Sequence, residues 1–202
     1  MTDSVSRLFS KLSSKEDHSA HASYVLTLRP SPNIPDLTLI QPPGYPPEAP
    51  PLCSVISSKK KKNVEIFRGT PDPSRVFGDA RFHSFSSSIQ MTLRGQPIKM
   101  KMSSMSSSFN FECHPMGKLK WAASQMSGSE SLALHDHSGN KLARLKSAKS
   151  SGTGEKQLEI LVPCDDFFID LVLLSGMVAM TLTKTNEDSV MEVVQQLAGG
   201  GC

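Results

Sequence analysis

The sequence lacks the motifs that mark the common enzyme classes, and it has few aromatic residues. Its 202 residues include one Trp and two Tyr. The glycine-rich nucleotide-binding loops, the Gly-x-Ser-x-Gly elbow of hydrolases and the His-Glu-x-x-His helix of zinc proteases are all absent. Its many serines and six histidines would allow a Ser-His-Asp set to be drawn almost anywhere, so such a set carries no weight. We therefore expect a protein that is not an enzyme and that needs no cofactor.

Cysteine is scarce as well. The four cysteines stand at positions 53, 113, 164 and 202, with no Cys-x-x-Cys pair. The N-terminus has no secretory signal, so these residues are expected to be reduced thiols rather than a disulfide framework. Cys202 also lacks the spacing of a prenylation motif. The expected location is the cytoplasm, with a peripheral association with membranes as an option.

The net charge of +3 is small but unevenly distributed. Residues 59–120 carry 12 Lys or Arg against 4 Asp or Glu, whereas residues 155–202 carry 2 against 8. A basic segment next to an acidic one indicates an anionic partner more directly than the total charge does.

The middle of the chain has the alternating apolar pattern of short β-strands separated by Pro, Gly, Asn and Ser. The Pro-rich stretch 42–47 must be a loop, because proline cannot donate to a sheet ladder. About a dozen strands with little helix between them predict a mainly β protein, either a sandwich or a barrel. The predicted strands are Tyr24–Leu28, Leu37–Ile40, Leu52–Ile56, Val64–Phe67, Arg81–Phe85, Ile89–Leu93, Ile98–Met102, Phe109–Cys113, Lys118–Ala122, Leu132–His135, Lys141–Leu145 and Leu158–Val162.

A helix is predicted over residues 166–183, where nearly every residue is apolar. Such a helix must be buried on all sides, in lipid or in protein. As a membrane span it would be short, and it would carry Asp170. Protein burial fits better, because a closed sheet of about twelve strands has room for a helix. The helix residues expected to form this core are Phe167, Phe168, Asp170, Leu171, Leu174 and Val178. Asp170 should lie near the barrel mouth with a polar partner.

Three segments follow from these patterns. Residues 1–21 are expected to be a flexible Ser-rich tail, with an amphipathic targeting helix as the alternative. Residues 22–184 form the β domain with the helix at its centre. Residues 185–202 should hold a short amphipathic helix, with Val190, Val193, Val194 and Leu197 on one side, followed by a Gly-rich end.

The chain resembles the tubby C-terminal superfamily, which includes LURP-one-related proteins, phospholipid scramblases and small fungal families. The resemblance covers roughly residues 22–184. It is carried by Leu119-Lys120-Trp121, the hairpin 132–145, the strand 158–162 and the apolar helix around Asp170-Leu171-Val172-Leu173-Leu174-Ser175-Gly176, in that order. It implies a closed barrel of twelve strands around the helix. It transfers no activity, since members of the superfamily differ in function.

The candidate binding residues are basic. Lys59, Lys60, Lys61 and Lys62 form a run, and Arg94, Lys99 and Lys101 follow on nearby elements. Because each lysine near an anionic leaflet gains about 1 kcal/mol, the run predicts binding of an anionic phospholipid such as a phosphoinositide. The alternative is an ordinary charged turn. As functions we expect a binding or adaptor domain, and as alternatives a protein-interaction scaffold with unknown partners or a scramblase-like or tail-anchored protein.

Two other ligands are disfavoured. His135 and His137 share a strand face, but no third ligand is evident and Gly139 follows in a hairpin turn, so no metal site is predicted. Phe82, Phe85, Phe109 and Phe111 alternate with polar residues as core-facing strand positions do. They are therefore not expected to stack on nucleic-acid bases.

Overall fold

Twelve antiparallel strands and one long helix form the molecule. The computed structural model describes residues 22–58, 62–82, 87–103, 108–123, 131–148 and 154–199, with side chains described as far as residue 183. The helix α1 spans Asp166–Gly199, and a short 3-10 turn covers Pro73–Arg75. The strands are β1 Tyr24–Pro30, β2 Leu37–Gln41, β3 Cys53–Ser58, β4 Asn63–Arg68, β5 Val76–Phe82, β6 Ser88–Leu93, β7 Gln96–Ser103, β8 Ser108–Cys113, β9 Gly117–Ala123, β10 Leu132–Asp136, β11 Lys141–Ser147 and β12 Lys156–Ile160.

The strands close into a barrel. Each strand pairs with the next along the chain, and β1 pairs with β12, with Tyr24 opposite Ile160. Closure leaves no free sheet edge, which removes the usual template for aggregation. The prediction of a mainly β, twelve-stranded barrel enclosing an apolar helix is confirmed, and the sandwich alternative is wrong.

Side chains along each strand alternate between the lumen and the outer face of the barrel. In β8, Phe109, Phe111 and Cys113 are buried, whereas Asn110 and Glu112 are exposed. In a strand, successive side chains point to opposite faces, so this order places the apolar residues in the lumen and the polar ones outside. Phe109 and Phe111 therefore belong to the core as predicted; Phe82 is half-buried against it, and Phe85 lies outside the described residues.

The helix fills the lumen. The predicted core residues Phe168, Asp170, Leu171, Leu174 and Val178 are buried, and Phe167 is half-buried. Within the described residues, Asp166–Thr183 is the stretch long and apolar enough to cross a bilayer, with a mean hydropathy of 1.6, and 61% of it is buried inside the protein. The carboxylate of Asp165 caps the first turn by accepting a hydrogen bond from the Phe168 amide at 2.8 Å.

The helix is longer than predicted. We expected it to end at residue 183 and a separate short helix to follow, but one continuous helix runs to Gly199. The physical reason is that residues 184–189, Lys-Thr-Asn-Glu-Asp-Ser, contain neither the proline nor the glycine that would stop a helix. The tail 1–21 and the Gly-rich end after Gly199 lie outside the described residues.

Glycines let the helix approach the barrel wall closely. A Cβ at Gly176 would lie 3.1 Å from the Trp121 ring, and one at Gly78 would lie 3.3 Å from Leu174. Gly78 belongs to β5, which begins at Val76 rather than at Arg81 as predicted. The prediction missed the start of β5 because Gly78 and Asp79 interrupt the apolar alternation. A glycine in a strand can mark a close approach of another element, as Gly78 does here, rather than a turn.

Asp170 is held at the mouth of the barrel by two arginines. Its Oδ2 accepts hydrogen bonds from Arg68 Nη2 at 2.5 Å and from Arg94 Nε at 2.7 Å. The side chain is 1% exposed, whereas those of Arg68 and Arg94 are 46% and 40% exposed. Burial raises the pKa of the Asp170 carboxyl, and the hydrogen bond from Arg94 and the charge of Arg68 oppose that rise. The prediction that Asp170 lies in the first turns with a basic partner is confirmed.

Candidate anion-binding surface

The predicted basic residues that the structure describes lie in different parts of the barrel. Lys99 and Lys101 lie on the outer face of β7, on either side of the buried Met100. Lys62 is exposed in the turn between β3 and β4, and its carbonyl accepts a hydrogen bond from the Phe82 amide at 2.9 Å. Lys59, Lys60 and Lys61 lie outside the described residues. Lys62 directly precedes β4, which is three strands from β7, or about 14 Å at the usual strand spacing.

Arg94 does not join the lysines. It occupies the β6–β7 turn with Gly95, and both residues have positive φ, 48° and 80°. Two such residues give the tight hairpin turn that matches strand twist. This turn lies at the end of the barrel where α1 begins, and the Arg94 side chain extends to Asp170 and to the carbonyl of Asp166. The Arg94 guanidinium is already paired with the Asp170 carboxylate, and its role in binding a lipid headgroup stays a prediction.

Two further lysines lie beside Lys99 and Lys101. On β9, Lys118 and Lys120 are exposed on either side of the buried Leu119. The strand between them, β8, aligns Asn110 with both Lys101 and Lys120, and Glu112 with Lys118. These six outward residues form what we call the lysine face: Lys99, Lys101, Asn110, Glu112, Lys118 and Lys120.

The dimensions of the lysine face follow from sheet geometry. Lysines on one strand stand about 7 Å apart, and β7 and β9 are separated by about 10 Å. The face lines a shallow depression of about 520 Å³, which the β10–β11 turn borders with Asp136 and His137. Four ammonium groups surround this depression, and the Glu112 carboxylate lies among them. The arrangement offers many donors to a ligand with several anionic oxygens.

Among the described residues, each arginine and Lys146 contact a carboxylate, whereas these four lysines, like Lys141, do not. Elsewhere, Arg29 pairs with Glu155, and Arg144 and Lys146 both pair with Glu159. In the part of the chain that the structure describes, none of the four lysines comes within ion-pair distance of a carboxylate. Because a paired cation gains little from a second anion, the lysine face is the better anion site.

A histidine extends the lysine face by one strand. His135 on β10 pairs with Lys120 on one side and with Lys141 on the other. The pKa of His135 is lowered by partial burial and by the charge of Lys141, with a smaller effect of Lys120, and Asp136 acts in the opposite direction. The charge of the His135 imidazole should therefore respond to a bound anion.

The turn predicted over residues 136–140 joins β10 to β11, with His135 and Asp136 at the end of β10 and His137 in the turn. The Asp136 carboxylate accepts hydrogen bonds from the amides of Ser138 and Asn140 and from the Asn140 side chain, at 2.8–2.9 Å. An aspartate that satisfies its own turn in this way is acting as a local structural element. Among the described residues, no group of three His, Cys, Asp or Glu side chains could hold a metal ion.

Lys118 and Lys120 were missed as site residues in the sequence. The signal that could have found them is the repeated pattern of a lysine, an apolar residue and a lysine, which occurs as Lys99-Met100-Lys101 and again as Lys118-Leu119-Lys120. Because side chains alternate along a strand, this pattern in two strands places four lysines on the outer face of the barrel. The pattern does not show which strands pair, and it is the pairing of β7 and β9 with β8 that brings the four lysines together.

Comparison with known proteins assigns no family. No family model and no curated protein matches the chain. The fold is similar to the X-ray structure of an Arabidopsis thaliana protein, at 9% identity, with a TM-score of 0.37. That match covers 82% of this chain and 94% of the Arabidopsis chain.

Proposed function

We propose that this chain is a non-catalytic binding domain that docks on anionic phospholipid at a membrane surface through the lysine face. The observation that carries the proposal is the group of four lysines, exposed on two strands and without carboxylate partners among the described residues. Lysines near an anionic leaflet gain about 1 kcal/mol each, so four of them supply a useful affinity without any pocket.

The chemistry of the lysine face favours phosphate oxygens. Each ammonium group has three donors and no acceptor, and Asn110 adds an amide that can donate to a headgroup. Glu112 lies in the middle of the lysine face and repels any anion placed directly above it. A headgroup or a cluster of headgroups would therefore contact the lysines on the two sides. Phosphoinositides, which carry several phosphates, suit this layout better than lipids with a single charge.

A nucleic acid is a poorer fit to the same lysines. Single-strand binders alternate cations with exposed aromatic rings on which the bases stack. Here the neighbouring rings face the lumen, with Phe111 5% and Trp121 0% exposed. A cationic surface without a stacking platform is better matched to a membrane, where charge alone provides the attraction.

We also infer that the chain is a tubby-like protein that works as a peripheral, cytoplasmic adaptor. The support is the closed barrel of twelve strands around one apolar helix, together with the order of the segments that resemble the superfamily. For the helix to enter a bilayer, as a scramblase-like or tail-anchored protein would require, Asp170 would have to leave both arginines. The peripheral mode of binding needs no such rearrangement.

Vesicle co-sedimentation tests the proposal. The full chain is mixed with phosphatidylcholine vesicles, and with the same vesicles containing phosphatidylserine or a phosphoinositide, over a range of salt concentrations. We expect binding to the anionic vesicles only, and loss of that binding as salt shortens the Debye length from about 10 Å at 0.1 M to about 3 Å at 1 M. Failure to bind any anionic vesicle at low salt would refute the proposal.

A further inference from the structure

A second surface is formed by the loop that joins β2 to β3. Its sequence is Pro42-Pro43-Gly44-Tyr45-Pro46-Pro47-Glu48-Ala49-Pro50-Pro51. Residues 43–48 are all exposed. They include Tyr45, one of the two tyrosines in the chain, which is 49% exposed. A loop with six prolines has few backbone donors and is already restricted in conformation, which lowers the entropy lost on binding.

The loop is held in place at its base. The Gln41 side chain, 1% exposed, donates hydrogen bonds to the carbonyl of Ala49 at 2.7 Å and, more weakly, to that of Pro46 at 3.4 Å. Its Oε1 accepts a hydrogen bond from Arg29 at 3.1 Å. A buried amide that ties both halves of a loop to the barrel keeps the exposed residues in a fixed place.

The two leading prolines have the conformation that aromatic grooves recognise. Pro42 precedes a proline and is therefore restricted to the extended, polyproline II region. The Tyr45 amide donates a hydrogen bond to the Pro42 carbonyl at 3.4 Å, and Gly44 has a φ of 77°. Both features are typical of a type II turn. In such a turn the first corner residue, here Pro43, has a conformation near polyproline II. The turn brings the Tyr45 backbone close to Pro42, and the Tyr45 side chain is exposed.

The same end of the barrel exposes other apolar side chains. Leu52 at the end of the loop is 44% exposed, and Val76 at the start of β5 is 41% exposed. The two segments are joined by a hydrogen bond from the Gly69 amide to the Leu52 carbonyl at 2.9 Å. These exposed apolar side chains add to the surface that a partner bound at the loop could contact.

We propose that the Pro42-Pro43-Gly44-Tyr45 segment is a docking site for a protein domain of the WW class, whose aromatic groove takes polyproline II segments. The proline pair would stack in the groove and the Tyr45 ring and hydroxyl would serve as the second anchor. The acidic Glu48 and the second turn, in which the Ala49 amide donates to the Pro46 carbonyl at 3.0 Å, make the later prolines a poorer ligand. This site is independent of the lysine face and does not rest on the lipid proposal.

Titration of the full chain with a purified WW domain that binds Pro-Pro-x-Tyr peptides tests this site. We expect saturable one-to-one binding that Tyr45→Ala or Pro43→Ala weakens at least about tenfold, the loss typical of an interface anchor. Pro50→Ala, a change at an exposed proline of the same loop, should leave the affinity within about twofold. The melting temperatures of the three variants should match that of the wild type, since all three positions lie outside the core.

Three results would overturn the proposal. One is binding of the WW domain to a free peptide of residues 38–52 but not to the folded chain, because the loop would then be inaccessible. The second is equal affinity of the wild type and Tyr45→Ala for the WW domain. The third is a wild-type chain that does not bind the WW domain, together with a Tyr45→Ala variant that loses affinity for anionic vesicles. That result would assign the loop to membrane binding and would exclude this site.

Discussion

The indole Nε1 of Trp121 donates a hydrogen bond to the Ser175 hydroxyl at 2.9 Å, which joins β9 to the buried part of the helix. Both residues are fully buried, and the same hydroxyl donates to the Leu171 carbonyl at 2.6 Å. The lumen of the barrel is therefore not merely apolar. It contains one polar contact that fixes how the helix is rotated against the wall.

Ser175→Ala should destabilise the protein by about 1–3 kcal/mol, because it leaves the buried Trp121 N–H without an acceptor. Combined with Trp121→Phe in a double-mutant cycle, it should show a coupling of about 1 kcal/mol. Urea unfolding measures both quantities. Thr183→Ala is the matched control, since that hydroxyl bonds only back to Ala179 in its own helix, and it should cost less. Additive effects of the two core substitutions would contradict this role.

Removing both arginines at the barrel mouth should cost more than removing either one. With Arg68→Ala and Arg94→Ala together, the Asp170 carboxylate is left buried without a partner, a loss of about 3–5 kcal/mol. Each single variant keeps one partner and should lose less than half of that. Chemical denaturation gives the ranking, and a double variant no less stable than the singles would show that Asp170 needs no partner.

Loss of stability in acid should depend on Glu159. Burial alone would raise its pKa, but hydrogen bonds and charge from Lys146 and Arg144 lower it below the usual value of 4.5. A carboxyl with a depressed folded pKa adds stability above its unfolded pKa, and this is lost as the pH falls through the folded value. Glu159→Gln should therefore be less stable than the wild type at pH 7, with the gap closing below about pH 4.5. Thermal melts at several pH values measure the difference in stability between the wild type and Glu159→Gln. A difference that stays constant with pH would contradict the prediction.

The sequence predicted most of the fold because the fold depends on local patterns. Eleven of the twelve strands both begin and end within about two residues of their predicted positions, since side-chain alternation is a property of each strand alone. The exception, β5, contains Gly78, whose packing against Leu174 no local pattern could reveal. The site was harder to predict. Lys101 and Lys120 are 19 residues apart, and only pairing through β8 makes them neighbours.

Binding to an anionic surface should raise the pKa of His135. In the free protein that pKa is lowered by burial and by Lys141, with a smaller effect of Lys120. A bound anion offsets the lysine charges and favours the protonated imidazole. Binding should therefore be tightest below the free pKa and should weaken as the pH rises through the bound pKa. NMR titration of the imidazole with anionic and with neutral vesicles measures the shift. The same pKa in both would place His135 outside the contact.

Charge reversal at the lysine face tests the central claim most directly. The quadruple variant Lys99→Glu, Lys101→Glu, Lys118→Glu and Lys120→Glu is compared with a variant in which Lys59–Lys62 are all changed to Glu, the same eight-unit change in charge. At about 1 kcal/mol per lysine, we predict that the first variant loses affinity for anionic vesicles at least roughly a hundredfold, and the second much less. Both should keep the wild-type circular-dichroism spectrum. Wild-type affinity in the first variant, with the loss confined to the second, would contradict the assignment of binding to β7 and β9.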